Sequence, residues 1–185
     1  MKKYRIFACI TALLLLLAGC AGEQPETTAA VETGNAVFGT FTTTDLAGNP
    51  VDQRVFSDHK LTMVNIWATF CNPCIGEMPD LAKLNNAFGD DFQVVGIVID
   101  ATDRNGIVLP DKKAEADYIV EATGANYLHL LPSKALNSAY LGGVQSVPET
   151  IFVDENGNQV GQKYLGARSK AEWTKIINTL LESMK

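Results

Sequence analysis

Cysteine and histidine are scarce in this chain. Four cysteines occur in 185 residues, and two of them, Cys9 and Cys20, lie near the N-terminus. A structural zinc site draws about four ligands from Cys and His. Beyond residue 20 only Cys71, Cys74, His59 and His129 remain, with each histidine isolated in sequence. No metal centre is expected. Clustered positive charge is missing too. The formal charge is −6, and setting aside Lys2, Lys3 and Arg5 leaves 12 basic residues against 21 acidic. Phosphate backbones are held by clustered cations, so nucleic acid is excluded as a partner. The apolar run from Ile6 to Leu17 covers 12 residues, short of the roughly 20 that a permanent membrane-spanning helix needs.

What the N-terminus does hold is an ordered series. Basic Lys2, Lys3 and Arg5 come first, then the apolar run, then Leu17-Ala18-Gly19-Cys20. That order is expected of an export signal. Its last four residues resemble the lipobox of bacterial lipoproteins, which implies diacylglyceryl attachment to the Cys20 sulfur and cleavage before it. The alternative is an ordinary signal peptide ending in a chance cysteine. Residues 1–20 are therefore expected to be a lipoprotein signal, leaving the remainder extracytoplasmic and lipid-anchored to the bacterial membrane. Residues 21–36 contain no aromatic residue. Such a segment buries too little apolar surface to offset its ordering entropy and is expected to be a flexible tether. The folded domain is expected over residues 37–185.

Within that domain the pattern alternates. Phe41 to Asp45 and Val51 to Phe56 flank a turn-rich break and predict an N-terminal β-hairpin. Leu61 to Trp67 and Phe92 to Ile99 are apolar strands separated by a helix from Asn72 to Phe88. Together they predict a parallel strand–helix–strand unit. A helix over Lys112 to Ala122, a short strand over Asn126 to Leu131 and a helix over Lys134 to Leu141 follow. Thr150 to Val153 and Gln159 to Tyr164 meet across an Asn-Gly turn, a strong hairpin signal. Ser169 to Glu172 fits a capping box, and Trp173, Ile176, Ile177, Leu180, Leu181 and Met184 follow at helical spacing.

Cys71 and Cys74 stand where the first apolar strand gives way to its helix. A structural disulfide is one reading, since an exported compartment is oxidising. A four-residue loop, however, constrains the unfolded chain little. Reactivity explains the placement better. Unpaired N–H groups and the dipole at a helix start stabilise a thiolate, and the thiolate is the nucleophile. Cys71 is at that terminus, and Cys74 lies one turn in, within reach of it. Cys71 is assigned as the attacking thiol and Cys74 as the resolving thiol. Pro73 suits a first turn, whereas Pro79 lies deeper and is expected to kink the helix.

The stretch Trp67-Ala68-Thr69-Phe70-Cys71-Asn72-Pro73-Cys74, with Glu77 and Pro79 after it, resembles the thioredoxin superfamily. It is most similar to tethered thiol:disulfide oxidoreductases of the TlpA/ResA type. Ser146-Val147-Pro148-Glu149-Thr150-Ile151-Phe152, about 75 residues on, resembles the family's second signature, in which a cis-proline faces the cysteine pair. The resemblance implies an α/β thioredoxin fold with an N-terminal β-hairpin and a central helical insertion over Ala101 to Leu131. That insertion either shapes substrate choice or covers the sheet. The resemblance also implies a cis bond at Pro148 and a Val147 backbone that pairs with the substrate peptide. Trp67 and Phe70 are expected at the substrate surface, Phe70 where the family usually has a second tryptophan. Asn65 stands in place of a buried aspartate used for proton transfer. An amide does not titrate, and Glu77, on the same helix face as Cys74, is the candidate replacement.

The expected activity is reduction of disulfides on exported partners by dithiol exchange. The Cys71–Cys74 pair is itself the redox centre, with no further cofactor. The resemblance implies a CcdA/DsbD-type membrane electron donor and, as clients, apocytochrome c or a methionine sulfoxide reductase. The chain is expected to act as a monomer. Three rivals stand beside this reading. A peroxiredoxin would need Pro at position 64 and Thr or Ser at 68, where Val64 and Ala68 stand. A dithiol oxidase would run the same chemistry in reverse. A copper-binding lipoprotein would favour a C-x-x-x-C spacing with a histidine.

Overall fold

The computed structural model describes residues 36–185, so Cys20, the expected signal and the expected tether lie outside the described residues. The central element is β3 (Leu61–Trp67), following a short hairpin of β1 (Thr42–Thr44) and β2 (Pro50–Asp52). All seven β3 residues are buried. Strand alternation then sends Leu61, Met63, Asn65 and Trp67 to one face of the sheet and Thr62, Val64 and Ile66 to the other. Helix α1 (Asn72–Asn85) leads to β4 (Phe92–Val98), which pairs in parallel with β3 from Leu61–Phe92 to Trp67–Val98. Next come α2 (Pro110–Thr123), β5 (Leu128–Leu130) and α3 (Lys134–Ala139). The chain ends in β6 (Glu149–Asp154), β7 (Gln159–Leu165) and α4 (Lys170–Ser183).

The five-stranded sheet has the order β5-β4-β3-β6-β7, with β6 antiparallel to β3 and β7 antiparallel to β6. Each face carries its own core. Met63 and Trp67 meet Met78 and Leu81 of α1, Ile119 of α2, and Trp173 and Ile177 of α4. Val64 and Ile66, on the reverse, meet Phe38, Phe41, Phe56 and Leu136. The fold is the expected thioredoxin-like α/β architecture with its N-terminal hairpin.

The central segment does more than cover the sheet. It contributes β5 as an added parallel strand, with Gly96 of β4 opposite His129. Gly96 is required there, because a Cβ would lie 2.3 Å from His129 Nδ1. The N-terminal hairpin in turn lies along the β5 side. Leu131 N–H donates to Thr44 O at 2.9 Å and Leu46 N–H to His129 O at 3.0 Å.

Two boundaries differ from expectation by the most residues. The second hairpin arm stops at Asp52, whose carboxylate accepts the Arg54 N–H and caps a 3-10 turn over Gln53–Phe56. That turn swings Phe56 inward to stack on Phe38 at 5.9 Å. Helix α1 ends at Asn85, three residues early, where the Asn85 side-chain oxygen takes the Val94 N–H at 2.7 Å. Pro79, expected to kink α1, lies inside it, and the helix continues as α-helix to Asn85.

Candidate active site

The antiparallel register of β3 and β6 assembles the site. Ile66 pairs with Glu149, which brings the residues just before β6 beside those just after β3. The first group carries Val147 and Pro148, the second Cys71. The Val147–Pro148 peptide bond is cis, as the resemblance implied. Pro148 is buried and Val147 half-buried, packed against the core cluster that contains both cysteines.

Cys71 and Cys74 are joined as a disulfide with their Cα atoms 5.3 Å apart. Cys71 occupies the N-cap of α1, and its sulfur accepts the Cys74 N–H at 3.2 Å. An N–H group thus already points at this sulfur, and a thiolate there gains the same contact in charge-assisted form. Cys71 retains 5% exposure and Cys74 none. Of the two cysteines only Cys71 has any exposure, as an attacking position would require. Phe70 projects beside it, 68% exposed.

Beneath the pair lies Glu77, only 4% exposed. Three donors surround its carboxylate. Asn65 Nδ2 donates to Oε1 at 3.0 Å, while the Arg168 backbone N–H and Trp173 Nε1 donate to Oε2 at 3.2 and 3.3 Å. Burial disfavours the ionised form and raises the Glu77 pKa above its ordinary value, with the three hydrogen bonds pulling the other way. The Arg168 guanidinium sits over both the Tyr164 and Trp173 rings at 5.0 and 5.1 Å, so it braces the indole that touches Glu77. Asn65 also donates to Thr150 Oγ1 at 3.1 Å. Its own carbonyl oxygen has no protein partner, nor does the buried Tyr127 hydroxyl.

Trp67 corrects an expectation. It was expected at the substrate surface but is wholly buried. As an odd-numbered β3 residue it points into the helix-covered core, and its Nε1 donates to His129 Nδ1 at 3.2 Å. His129 Nε2 is 3.0 Å from Ala125 O, which makes Nε2 the protonated nitrogen of a neutral ring. Burial lowers the His129 pKa to about 4. The reactive turn has a second support that sequence reasoning missed. Asp100, just past β4, accepts the Thr69 N–H at 3.0 Å and the Thr69 hydroxyl at 2.7 Å. Lys112 Nζ from α2 reaches the same hydroxyl at 3.0 Å. Trp173 and Arg168 were missed as well, because helical periodicity marks Trp173 only as apolar.

Residues 32–179 match the Redoxin family. The chain belongs to that family. This redoxin is 28% identical to the thiol:disulfide interchange protein DsbE of Vibrio cholerae over 195 residues, covering 100% of this chain and 97% of that protein. It is 29% identical to the thiol-disulfide oxidoreductase ResA of Geobacillus kaustophilus over 193 residues, covering 100% and 99%. With the thioredoxin-like protein YneN of Bacillus subtilis it shares 28% identity over 113 residues, 61% of each chain. Among solved structures, a thiol:disulfide interchange protein from Chlorobium tepidum superposes with a TM-score of 0.61 at 24% identity, covering 77% of this chain and 93% of that one. A DsbF homologue from Corynebacterium diphtheriae gives 0.60 at 26%, covering 76% and 84%. This redoxin is a thiol:disulfide oxidoreductase of the ResA-like branch of the thioredoxin superfamily. Val64 and Ala68, where a peroxiredoxin would carry Pro and a hydroxyl residue, are both fully buried apolar side chains.

Proposed function

We propose that this redoxin is a membrane-tethered, extracytoplasmic reductant of disulfides in exported proteins, working as a monomer with no cofactor beyond its own cysteine pair. The observation that carries the reading is the disulfide itself. Its one cysteine with any exposure caps a helix beside a cis-proline, with a buried carboxylate one turn beneath. In the reduced enzyme the Cys71 thiolate attacks a client disulfide, forming a mixed disulfide and releasing one client thiolate. Glu77 takes the proton of the Cys74 thiol. The Cys74 thiolate then attacks the Cys71 sulfur, the second client sulfur leaves as thiolate, and the enzyme retains both oxidised cysteines. Two electrons pass to the client in each cycle.

Val147 and Pro148 form the wall against which the client backbone lies, and Phe70 flanks the attacking sulfur. The lipid anchor is assigned to Cys20. Electrons return from a CcdA/DsbD-type membrane donor, because no thiol pool outside the cytoplasm supplies them. The relatives named DsbE and ResA support an exported, disulfide-bearing client, such as apocytochrome c or a methionine sulfoxide reductase.

Trapping tests the reading. A Cys74→Ser protein in its native membrane should accumulate client polypeptides disulfide-linked through Cys71, released by dithiothreitol. Absence of any linked species, with Cys71 shown to be free and reactive, would contradict it. Accumulation of reduced clients in the wild type and oxidised clients in a Cys71→Ser strain fixes the direction as reduction. The opposite pattern marks a disulfide-forming oxidase.

A further inference from the structure

The segment between β4 and α2 is bound firmly to itself. Thr102 and Val108 form an antiparallel bridge, and Leu109 N–H donates to Ala101 O at 2.9 Å. Asp103 N–H donates to Ile107 O at 2.8 Å, while the Asp103 carboxylate accepts the N–H groups of Asn105 and Ile107, both at 2.8 Å. The segment is also anchored from outside. Asn137 Nδ2 donates to Asp103 O at 3.4 Å and Arg104 O at 3.2 Å. Gly106, at φ 82°, lies so near the start of α3 that a Cβ would come within 2.9 Å of Lys134 N.

A loop held this closely presents three consecutive aliphatic residues to water. Ile107 is 64% exposed, Val108 38% and Leu109 40%. Single exposed apolar residues are ordinary, but contiguous ones on a pinned backbone mark an interaction surface. Their neighbourhood is the reactive turn. Ala101, which receives the Leu109 N–H, follows Asp100, and Asp100 holds Thr69 by two hydrogen bonds. Lys112, three residues after Leu109, bonds the Thr69 hydroxyl. Phe70, the most exposed apolar side chain beside the disulfide, follows Thr69 directly.

We propose that Phe70 and the Ile107-Val108-Leu109 segment form one docking surface for the client polypeptide, receiving apolar side chains adjacent to its reactive cysteine. The proposal rests on the reductase reading and adds the class of client. The occupant follows from continuity with the disulfide. A client cysteine bonded to Cys71 places its flanking residues, at about 3.3–3.6 Å each when extended, alongside Phe70 and the loop. A loop already fixed in place loses little further entropy when a chain docks on it.

Two synthetic disulfide peptides provide the test, identical except that the residues flanking one cysteine are Leu and Phe in the first and Ser in the second. The wild type, reduced beforehand and freed of reductant, should reduce the apolar peptide in a single turnover with a second-order rate constant about tenfold higher, equivalent to about 1.4 kcal/mol. Ile107→Ser, and separately the pair Ile107→Ser with Leu109→Ser, should shrink that preference towards equality. Ile107 is mostly exposed, so serine there removes no core packing. A wild type without preference, or variants that retain it, would overturn the docking surface while leaving the reductase reading intact, since both peptides are still reduced. Failure of the wild type to reduce either peptide would remove both. A wild type that sediments as a dimer while Ile107→Ser sediments as a monomer would assign the surface to a second copy of this chain and overturn the proposal.

Discussion

Glu77 is a carboxylate in a place that resists its charge. Burial raises its pKa, and three donors, one from β3 and two from around the start of α4, partly restore the ionised form. The balance suits a group that must accept a proton and later give it up. Glu77→Gln keeps the shape and removes the titration. The fold should survive, because a flip of Asn65 would turn its unpartnered carbonyl oxygen towards the new amide. Turnover should fall by about 10²-fold, the usual scale for a general base, and the mixed disulfide should persist even with Cys74 present. The limb of the pH–rate profile that titrates above the ordinary glutamate value should vanish. An unaltered profile would remove Glu77 from proton transfer.

At the scale of elements, α4 contributes to both stability and chemistry. Its capping box is complete, with the Ser169 hydroxyl taking the Glu172 N–H and the Glu172 carboxylate taking the Ser169 N–H at 2.9 Å. The cap residue Ser169 lies one residue after Arg168, whose backbone N–H reaches Glu77, and four before Trp173, whose indole does the same. Ser169→Ala should cost about 1 kcal/mol of folding stability, the typical loss for such a cap, measured by urea denaturation. Because the cap fixes both donors to Glu77, the same substitution should also displace the Glu77 titration in the pH–rate profile. A stability loss without that displacement would confine the cap to a structural role.

For the whole molecule, two buried groups give opposite responses to acid. His129 is neutral in the fold, with its pKa lowered from 6.5 to about 4. The stability this contributes is fully present above pH 6.5 and is lost as pH falls towards 4, about 3 kcal/mol in all. Glu77 has a raised pKa, so its ionised form opposes folding above that pKa, and the opposition fades as pH falls towards 4.5. In His129→Gln, whose side-chain oxygen can still accept the Trp67 N–H, the urea midpoint should change little between pH 7 and 4.5, whereas the wild type loses stability. Equal losses in both proteins would exclude His129 as the cause.

Much of this architecture is legible in the chain because its strongest signals are local. The mostly apolar run of β3, the Asn-Gly turn after β6 and the serine–glutamate box of α4 each predict their element without help from the rest. Glu77 is legible for the same reason, being three residues from Cys74 on one helix. The donors that tune it are not. Arg168 and Trp173 lie 91 and 96 residues away in sequence and meet it only through packing. Trp67 misleads because its place beside the motif suggests a surface, whereas strand alternation turns it inward. The 3-10 turn at Phe56 escapes detection because an alternating run does not reveal where a buried aromatic must leave it.

The hairpin laid along β5 has a consequence for assembly. A strand with a free side offers a row of unpaired N–H and C=O groups on which another chain can extend the sheet. Here Thr44 and Leu46 occupy that row on one flank, and β7, interrupted by a register shift against β6, forms the other. The N-terminal hairpin thus protects against polymerisation, keeping a five-stranded sheet from growing through its own inserted strand.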